Sequence, residues 1–392
     1  MNTAPLLIAL ISETVLPVVN DLPQSLAHLC AGLNARGHHL QLVRPRQADD
    51  QGRHSDERLL LTRGWPLPGL PGWQWGVSMQ AKLLRHWQRR RPDVLYIASP
   101  GPLGLAALRV GTRLNIPVVS SLTSPADSFP PSHLLAPFNR LLQHYLRWFH
   151  NRAQLTLVPT SNQLHALQRN GFAHLQLLTD GVDSLLFHPR QRRQALRSDW
   201  GLGEADIAVL CRAPNNDQQL ELLQRSWQAL KTRYPRRRMR LVVLNANAAM
   251  AVQLPDAYLS EATHGVNLAS HYASGDVFLL VDDDDRLLLE TLASGLGVVA
   301  FDQGAAAQHL RHGHNGVLAM SEDPDSFSAA AVWLLEEPET LRRIRLNARQ
   351  HASRQSWASI SQRLETHLCN ACQRPTINPP RQMPWAQPHR PG

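Results

Sequence analysis

The chain has 392 residues, 43% of them hydrophobic and 18% charged, with a formal net charge of +9. That length suits two domains of ordinary size, each able to bury a core, and the apolar content excludes wholesale disorder. The longest apolar runs, such as Val277–Val281 and Val298–Phe301, fall far short of the roughly 18 residues that a bilayer crossing needs.

Leu6–Ile11 reads as a buried parallel strand. No basic stretch precedes it and Glu13 follows closely, so the N-terminus does not read as a signal peptide and a cytoplasmic protein is expected. Leu22–Arg36 carries Leu26, Leu29, Cys30 and Leu33 at helical spacing, and Gly37 is placed to stop that helix. Leu40–Val43, Asp93–Ala98, Val118–Ser121 and Leu155–Val158 continue the strand series, separated by helical stretches. The pattern restarts after Asp183–Pro189: strand Ala208–Cys211, helix Gln218–Tyr234, strand Arg240–Leu244, strand Asp276–Val281, helix Leu287–Ser294 and strand Val298–Phe301. Strands alternating with helices predict an α/β protein of two Rossmann-like domains with parallel sheets. The expected division is residues 1–185, residues 186–372 and a Pro/Arg-rich disordered tail over 373–392. The last helix is a candidate to return to the first domain. Ligands of such sheets bind at the carboxyl ends of the strands.

Charge is uneven. Residues 1–185 hold 17 Lys and Arg against 10 Asp and Glu, the remainder 23 against 21. A basic first half implies anionic partners, either phosphates or an acidic membrane surface. No nucleic-acid motif accompanies it, so nucleic acid is not an expected partner. Met79–Arg91 combines Leu83, Leu84 and Trp87 with Lys82 and arginines, and Leu134–Phe149 is a second basic amphipathic stretch. Each is either a membrane-facing surface or an ordinary packing helix. Cys369-Asn-Ala-Cys372, with His367 beside it, is half a zinc pattern without a second pair, and reads as helix-end residues without metal.

Several motifs occur in an order that points to a family. They are Pro100-Gly-Pro-Leu-Gly104, Val158-Pro-Thr160, Gly181-Val-Asp-Ser-Leu-Leu-Phe-His-Pro189, His271-Tyr-Ala-Ser-Gly-Asp-Val-Phe278, Glu290-Thr-Leu-Ala-Ser-Gly-Leu-Gly297, Ala305-Ala-Ala-Gln-His-Leu310 and His314-Asn-Gly316. Together they resemble the signature of GT-B glycosyltransferases of family 4, over nearly the whole chain. The resemblance implies a retaining transfer of a hexose from a nucleotide-diphosphate sugar to a lipid or saccharide acceptor. It also implies an acceptor-side first domain, a donor-side second domain, no resident cofactor, and peripheral attachment to the inner face of a membrane. In such enzymes cationic side chains neutralise the departing diphosphate.

By the same resemblance Arg212 is the diphosphate arginine, Glu290 holds the ribose, and Asp282 stands where the family has its first Glu. Asn20 is a candidate donor contact or simply a helix cap. Other family positions are altered. The partner lysine falls on Asn215 or Asn216, the N-terminal histidine on Thr123, the N-terminal loop glycine on Asp21, and the glycine-rich turn begins at Asn245. Asp282-Asp-Asp-Asp285 occupies the phosphate-binding turn. Three readings of that run stand side by side: solvated capping acids, an altered donor site, or a divalent-metal site. The alterations also leave open a catalytically inactive relative that binds a partner protein or lipid.

Overall fold

The first apolar run forms β1 (Leu7–Ile11), and Ile8, Ala9, Leu10 and Ile11 are at most 1% exposed. A parallel sheet covered on both faces requires such a strand. The computed structural model describes residues 4–13, 24–46, 56, 58–62, 64–66, 74–76, 79–122, 136–247, 250–261 and 264–373. Asn20, Asp21, Thr123 and the stretch 374–392 lie outside them.

α1 (Gln24–Ala35) buries Leu26, Leu29 and Leu33, and Gly37 takes a φ of +89° just beyond its end. That left-handed geometry suits glycine and ends the helix. β2 (His39–Pro45), β3 (Leu59–Thr62), the antiparallel pair β4 (Gly64–Pro66) and β5 (Gln74–Gly76), and α2 (Gln80–Arg89) follow. Then come β6 (Val94–Ile97), α3 (Pro102–Leu114), β7 (Val118–Ser121), α4 (Ala136–His150), β8 (Leu155–Val158), α5 (Ser161–Arg169) and β9 (Leu175–Leu177). The main sheet runs β3-β2-β1-β6-β7-β8-β9, and each neighbouring pair is parallel. The chain reverses its direction of strand addition between β1 and β6, which makes their carboxyl ends the crevice of this sheet.

The second sheet repeats the scheme. α6 (Gln194–Asp199) leads to β10 (Ile207–Arg212), α7 (Asp217–Arg233), β11 (Met239–Leu244), α8 (Met250–Gln253), β12 (Tyr258–Leu259) and α9 (Gly265–Ser274). β13 (Val277–Leu280), α10 (Asp285–Ala293), β14 (Gly297–Phe301), α11 (Gly304–His309) and β15 (Val317–Ala319) complete it. α12 (Pro324–Leu334), α13 (Pro338–Ser353) and α14 (Trp357–Gln373) end the described chain. The order is β12-β11-β10-β13-β14-β15, again with parallel neighbours, so the reversal falls between β10 and β13. A fully buried ion pair fixes that junction. Arg197 donates to Asp276 Oδ2 at 2.8 Å, and the Ala208 N–H at the start of β10 donates to the same oxygen at 2.9 Å. With Arg345 on the other carboxylate oxygen at 3.0 Å, the buried charge is satisfied on both sides.

Contacts divide the chain into one unit that runs to Leu178 and resumes at Ser361, and a second over Thr179–Ile360. In the first, Glu365 of α14 accepts from Arg36 Nε at 2.5 Å and lies 3.0 Å from His38 Nε2.

The first basic amphipathic stretch turns its apolar residues inward, and the second does so only in part. On α2, Leu83 and Trp87 are fully buried, Leu84 packs against the same core, and Trp87 Nε1 donates to Gln41 Oε1 at 2.8 Å. On α4, Leu146 and Phe149 are buried while Leu141 is 67% exposed. The apolar stripe of α2 is core, not a membrane face. No helix among the described residues is long and apolar enough to cross a membrane.

Candidate functional site

Arg212 is the last residue of β10, and the acidic run follows β13, the neighbouring strand across the reversal. Strand order thus brings together residues seventy apart in sequence. Arg212 Nη2 is ion-paired with Asp282, and Nη1 donates to Asp284 Oδ2 at 2.7 Å. Burial alone would lower the arginine pKa, but the two carboxylates hold it above its ordinary value. Asp282 is pushed up from the usual carboxylate range, first by desolvation and then by Asp284, with Arg212 opposing.

The four aspartates have separate engagements. Asp284 is the N-cap of α10: its Oδ1 accepts from the Leu287 N–H at 3.0 Å while Oδ2 is on Arg212. Asp283 Oδ1 accepts from the Ala305 N–H at 2.9 Å, and its carboxylate lies where a Cβ on Gly304 would have to go. Asp285 Oδ1 lies 3.1 Å from His309 Nε2, and His309 Nδ1 lies 3.2 Å from His351 Nε2. Burial, with His309 nearby, pushes His351 down to about 4, so it is neutral at pH 7. Among the described residues no group of three or more His, Cys, Asp or Glu could hold a metal ion. With its carboxylates diverging onto a guanidinium, two backbone amides and a histidine, the Asp282–Asp285 run does not fit a divalent-cation site. The capping reading accounts for Asp283 and Asp284, but Asp282 and Asp284 are not simply solvated, because they bind Arg212.

Glu290, in the second turn of α10, is 6% exposed and accepts from Arg286 Nε at 2.8 Å. Desolvation pushes its carboxyl up, opposed by Arg286. Asn216 is the N-cap of α7, accepting from the Gln219 N–H at 2.9 Å, and the Asn215 N–H donates back to Gln219 Oε1 at 2.8 Å. The segment where a lysine is missing has become a helix-capping device. Asn245 follows β11 with a φ of +56°, so the altered turn keeps a backbone that favours glycine, in a residue that tolerates it. Cys369 and Cys372 lie on α14 outside any disulfide, and burial pushes the Cys372 thiol up to about 11.

Two carboxylates emerge only in three dimensions. Asp180, before the Gly181 motif, is pushed up to about 6 by desolvation and then by Asp285, with Arg286 pulling the other way. Glu13, just past β1, is 4% exposed. Its Oε1 accepts from the Gly104 N–H at 2.8 Å, its own N–H donates to Ser99 Oγ at 2.8 Å, and its carboxylate lies where a Cβ on Gly101 would have to go. A sequence signal existed for Glu13: an acid directly after a buried strand, with a glycine pair at the head of a later helix.

Two parallel α/β sheets, each with a strand reversal whose carboxyl ends form a crevice, make this a doubly wound α/β protein of two Rossmann-like units. Comparisons with known proteins agree. Residues 23–184 match the family model Glycosyltransferase Family 4, and residues 204–337 match Glycosyl transferases group 1. The chain is 27% identical over 346 residues to a GDP-mannose-dependent alpha-mannosyltransferase of Corynebacterium glutamicum, covering 85% of this chain and 81% of that one. It is 26% identical over 374 residues to the protein of the same description from Mycobacterium tuberculosis, covering 92% and 95%. Among solved structures, a glycosyltransferase from Rickettsia africae superposes with a TM-score of 0.70 at 10% identity, covering 94% of this chain and 99% of that one. Anabaena HepE in complex with UDP superposes with a TM-score of 0.67 at 16% identity, covering 93% and 99%. The chain belongs to the family 4-like glycosyltransferases of GT-B fold.

Proposed function

We propose that this protein transfers a hexose from a nucleoside-diphosphate sugar to a lipid or saccharide acceptor, with retention at the anomeric carbon. The observation that carries the proposal is the meeting of Arg212 with Asp282 at the β10–β13 reversal. A departing diphosphate gains negative charge in the transition state, and a guanidinium fixed at the strand ends stabilises that charge. In this reading Arg212 receives the diphosphate, Asp282 faces the transferred sugar, and Glu290 holds the ribose. In this reading the unit Thr179–Ile360 is the donor side, and the unit that runs to Leu178 and resumes at Ser361 is the acceptor side. The names of the mannosyltransferase relatives support GDP-mannose as the first donor to try. The basic first half and the exposed Arg140, Leu141 and His144 on α4 support a peripheral contact with an anionic membrane that supplies a lipid acceptor.

The test is a thermal-unfolding screen with GDP, UDP, GDP-mannose and UDP-glucose, followed by a donor-hydrolysis and transfer assay with the nucleotide that binds. Ligand at 100 times its dissociation constant adds ~2.7 kcal/mol to stability. A rise in Tm with one base and release of that nucleoside diphosphate from its sugar are expected.

A second reading has a specific observation in its favour. Arg212 is already engaged by two aspartates, and Arg212–Asp217 contains no lysine, which suits an inactive relative that binds a partner protein or lipid. No Tm change at millimolar nucleotide and no hydrolysis of any donor would select it.

A further inference from the structure

Asp284 makes two contacts that a phosphate group would otherwise make. One oxygen is on Arg212 Nη1 at 2.7 Å, and the other accepts from the Leu287 N–H at 3.0 Å, in the first turn of α10. A guanidinium and the amides of a helix start are the usual partners of a bound phosphate. Asp283 takes an amide but not the arginine, and Asp282 is paired with the arginine. Exposure separates the two partners of Arg212. The Asp284 side chain is 32% exposed and that of Asp282 is 13% exposed. The Arg212–Asp284 ion pair is the more open to water and so the more readily exchanged, whereas the more enclosed Asp282 is held.

We propose that Asp284 is an internal competitor of the donor's diphosphate: it occupies Arg212 in the resting protein and is exchanged for a phosphate when the donor binds. The exchange keeps the affinity for donor modest and lets the returning carboxylate displace the nucleoside diphosphate left after transfer. This inference rests on the assignment of Arg212 to the diphosphate.

The test is calorimetric titration of the wild type, Asp284→Asn and Asp283→Asn with GDP and with UDP. An asparagine at 284 still caps α10 through its side-chain oxygen, and far-UV circular dichroism with urea unfolding confirms that the fold is kept. Removing one like charge from beside the phosphate, at ~4 Å and an effective dielectric of 20, predicts Asp284→Asn binding tighter by about tenfold or more. Asp283→Asn, which leaves Arg212 untouched, is expected to gain several-fold less than Asp284→Asn. An Asp284→Asn affinity no tighter than wild type overturns the exchange and leaves the transferase reading standing. An equal gain in Asp283→Asn overturns it too, because the effect is then general charge. Failure of GDP and UDP to bind any of the three proteins overturns the exchange and the transferase reading together.

Discussion

The two sheets bring their helix starts under control by different means. In the first, the residue set just past β1 is an acid: Glu13 reaches the N-terminus of α3, which follows the neighbouring strand β6, and takes the Gly104 amide directly. In the second, the corresponding strand β10 ends in a cation, Arg212. The helix after the neighbouring strand, α10, is capped by an acid from its own turn, Asp284, and that acid meets the cation. One arrangement is carboxylate to amide, closed and buried. The other inserts a partly exposed ion pair between strand and helix. A buried carboxylate on backbone amides is a fixed structural element, because nothing in solvent replaces it without a large desolvation change. An ion pair open to water can exchange partners with an anionic ligand. The comparison supports the proposed placing of donor chemistry at the second sheet, although the first half carries more of the net positive charge.

The comparison breaks first at Arg212. Replacing Arg212 with Ala removes the cation proposed to receive the diphosphate, and loss of one such preorganised donor is expected to lower kcat by about 100- to 1,000-fold. Steady-state transfer assays check this, and an unchanged kcat would remove the second sheet's claim to the chemistry. Next, Glu13→Ala leaves the Gly104 amide and the α3 N-terminus without their buried acceptor, at a cost of ~2–3 kcal/mol. Urea unfolding checks it, and Glu13→Gln, which keeps an acceptor oxygen, should recover most of the loss. If Glu13 were exchangeable like Asp284, the alanine variant would be near neutral.

Asp180 sharpens the contrast from the side of pH. Its folded pKa of about 6 lies above the ordinary 3.8, so the folded protein binds this proton more tightly than the unfolded chain. Stability from this group is therefore present below about pH 4 and lost as pH rises toward 6. Asp180→Asn removes the ionised carboxylate, and is expected to stabilise by ~1–3 kcal/mol at pH 7.5 and by nearly nothing at pH 4. Thermal unfolding at both pH values reads the difference. The smallest effect concerns Gly304, whose φ is +49° and whose Cβ position is filled by Asp283. Gly304→Ala should cost ~1–2 kcal/mol, with part recovered in the double variant with Asp283→Ala; additive losses would disprove the contact.

Much of this was legible before the fold was known. Val118–Ser121 and Leu155–Val158 are strands with the bounds expected, and α7 begins one residue before its expected start because Asn216 caps it. Short edge strands such as β9, β12 and β15, of two or three residues, were not foreseen, since their pairing comes from the neighbouring strand rather than from their own periodicity. Within the site, Arg212, Asp282 and Glu290 were singled out by family motif. The run Asp282–Asp285 stood out as well, but not which of its carboxylates meets Arg212, because that contact exists only once β10 and β13 lie side by side. Glu13 was noticed only as a charge too close to an apolar run, and its partner amide lies ninety-one residues away.

The most direct test is a crystal structure of the protein with bound GDP or UDP, whichever raises its Tm. The account predicts diphosphate oxygens within hydrogen-bonding distance of the Arg212 guanidinium, with Asp284 moved off that guanidinium and Asp282 still beside it. A nucleotide bound with its phosphates away from Arg212, the Asp284 contact intact, would contradict it.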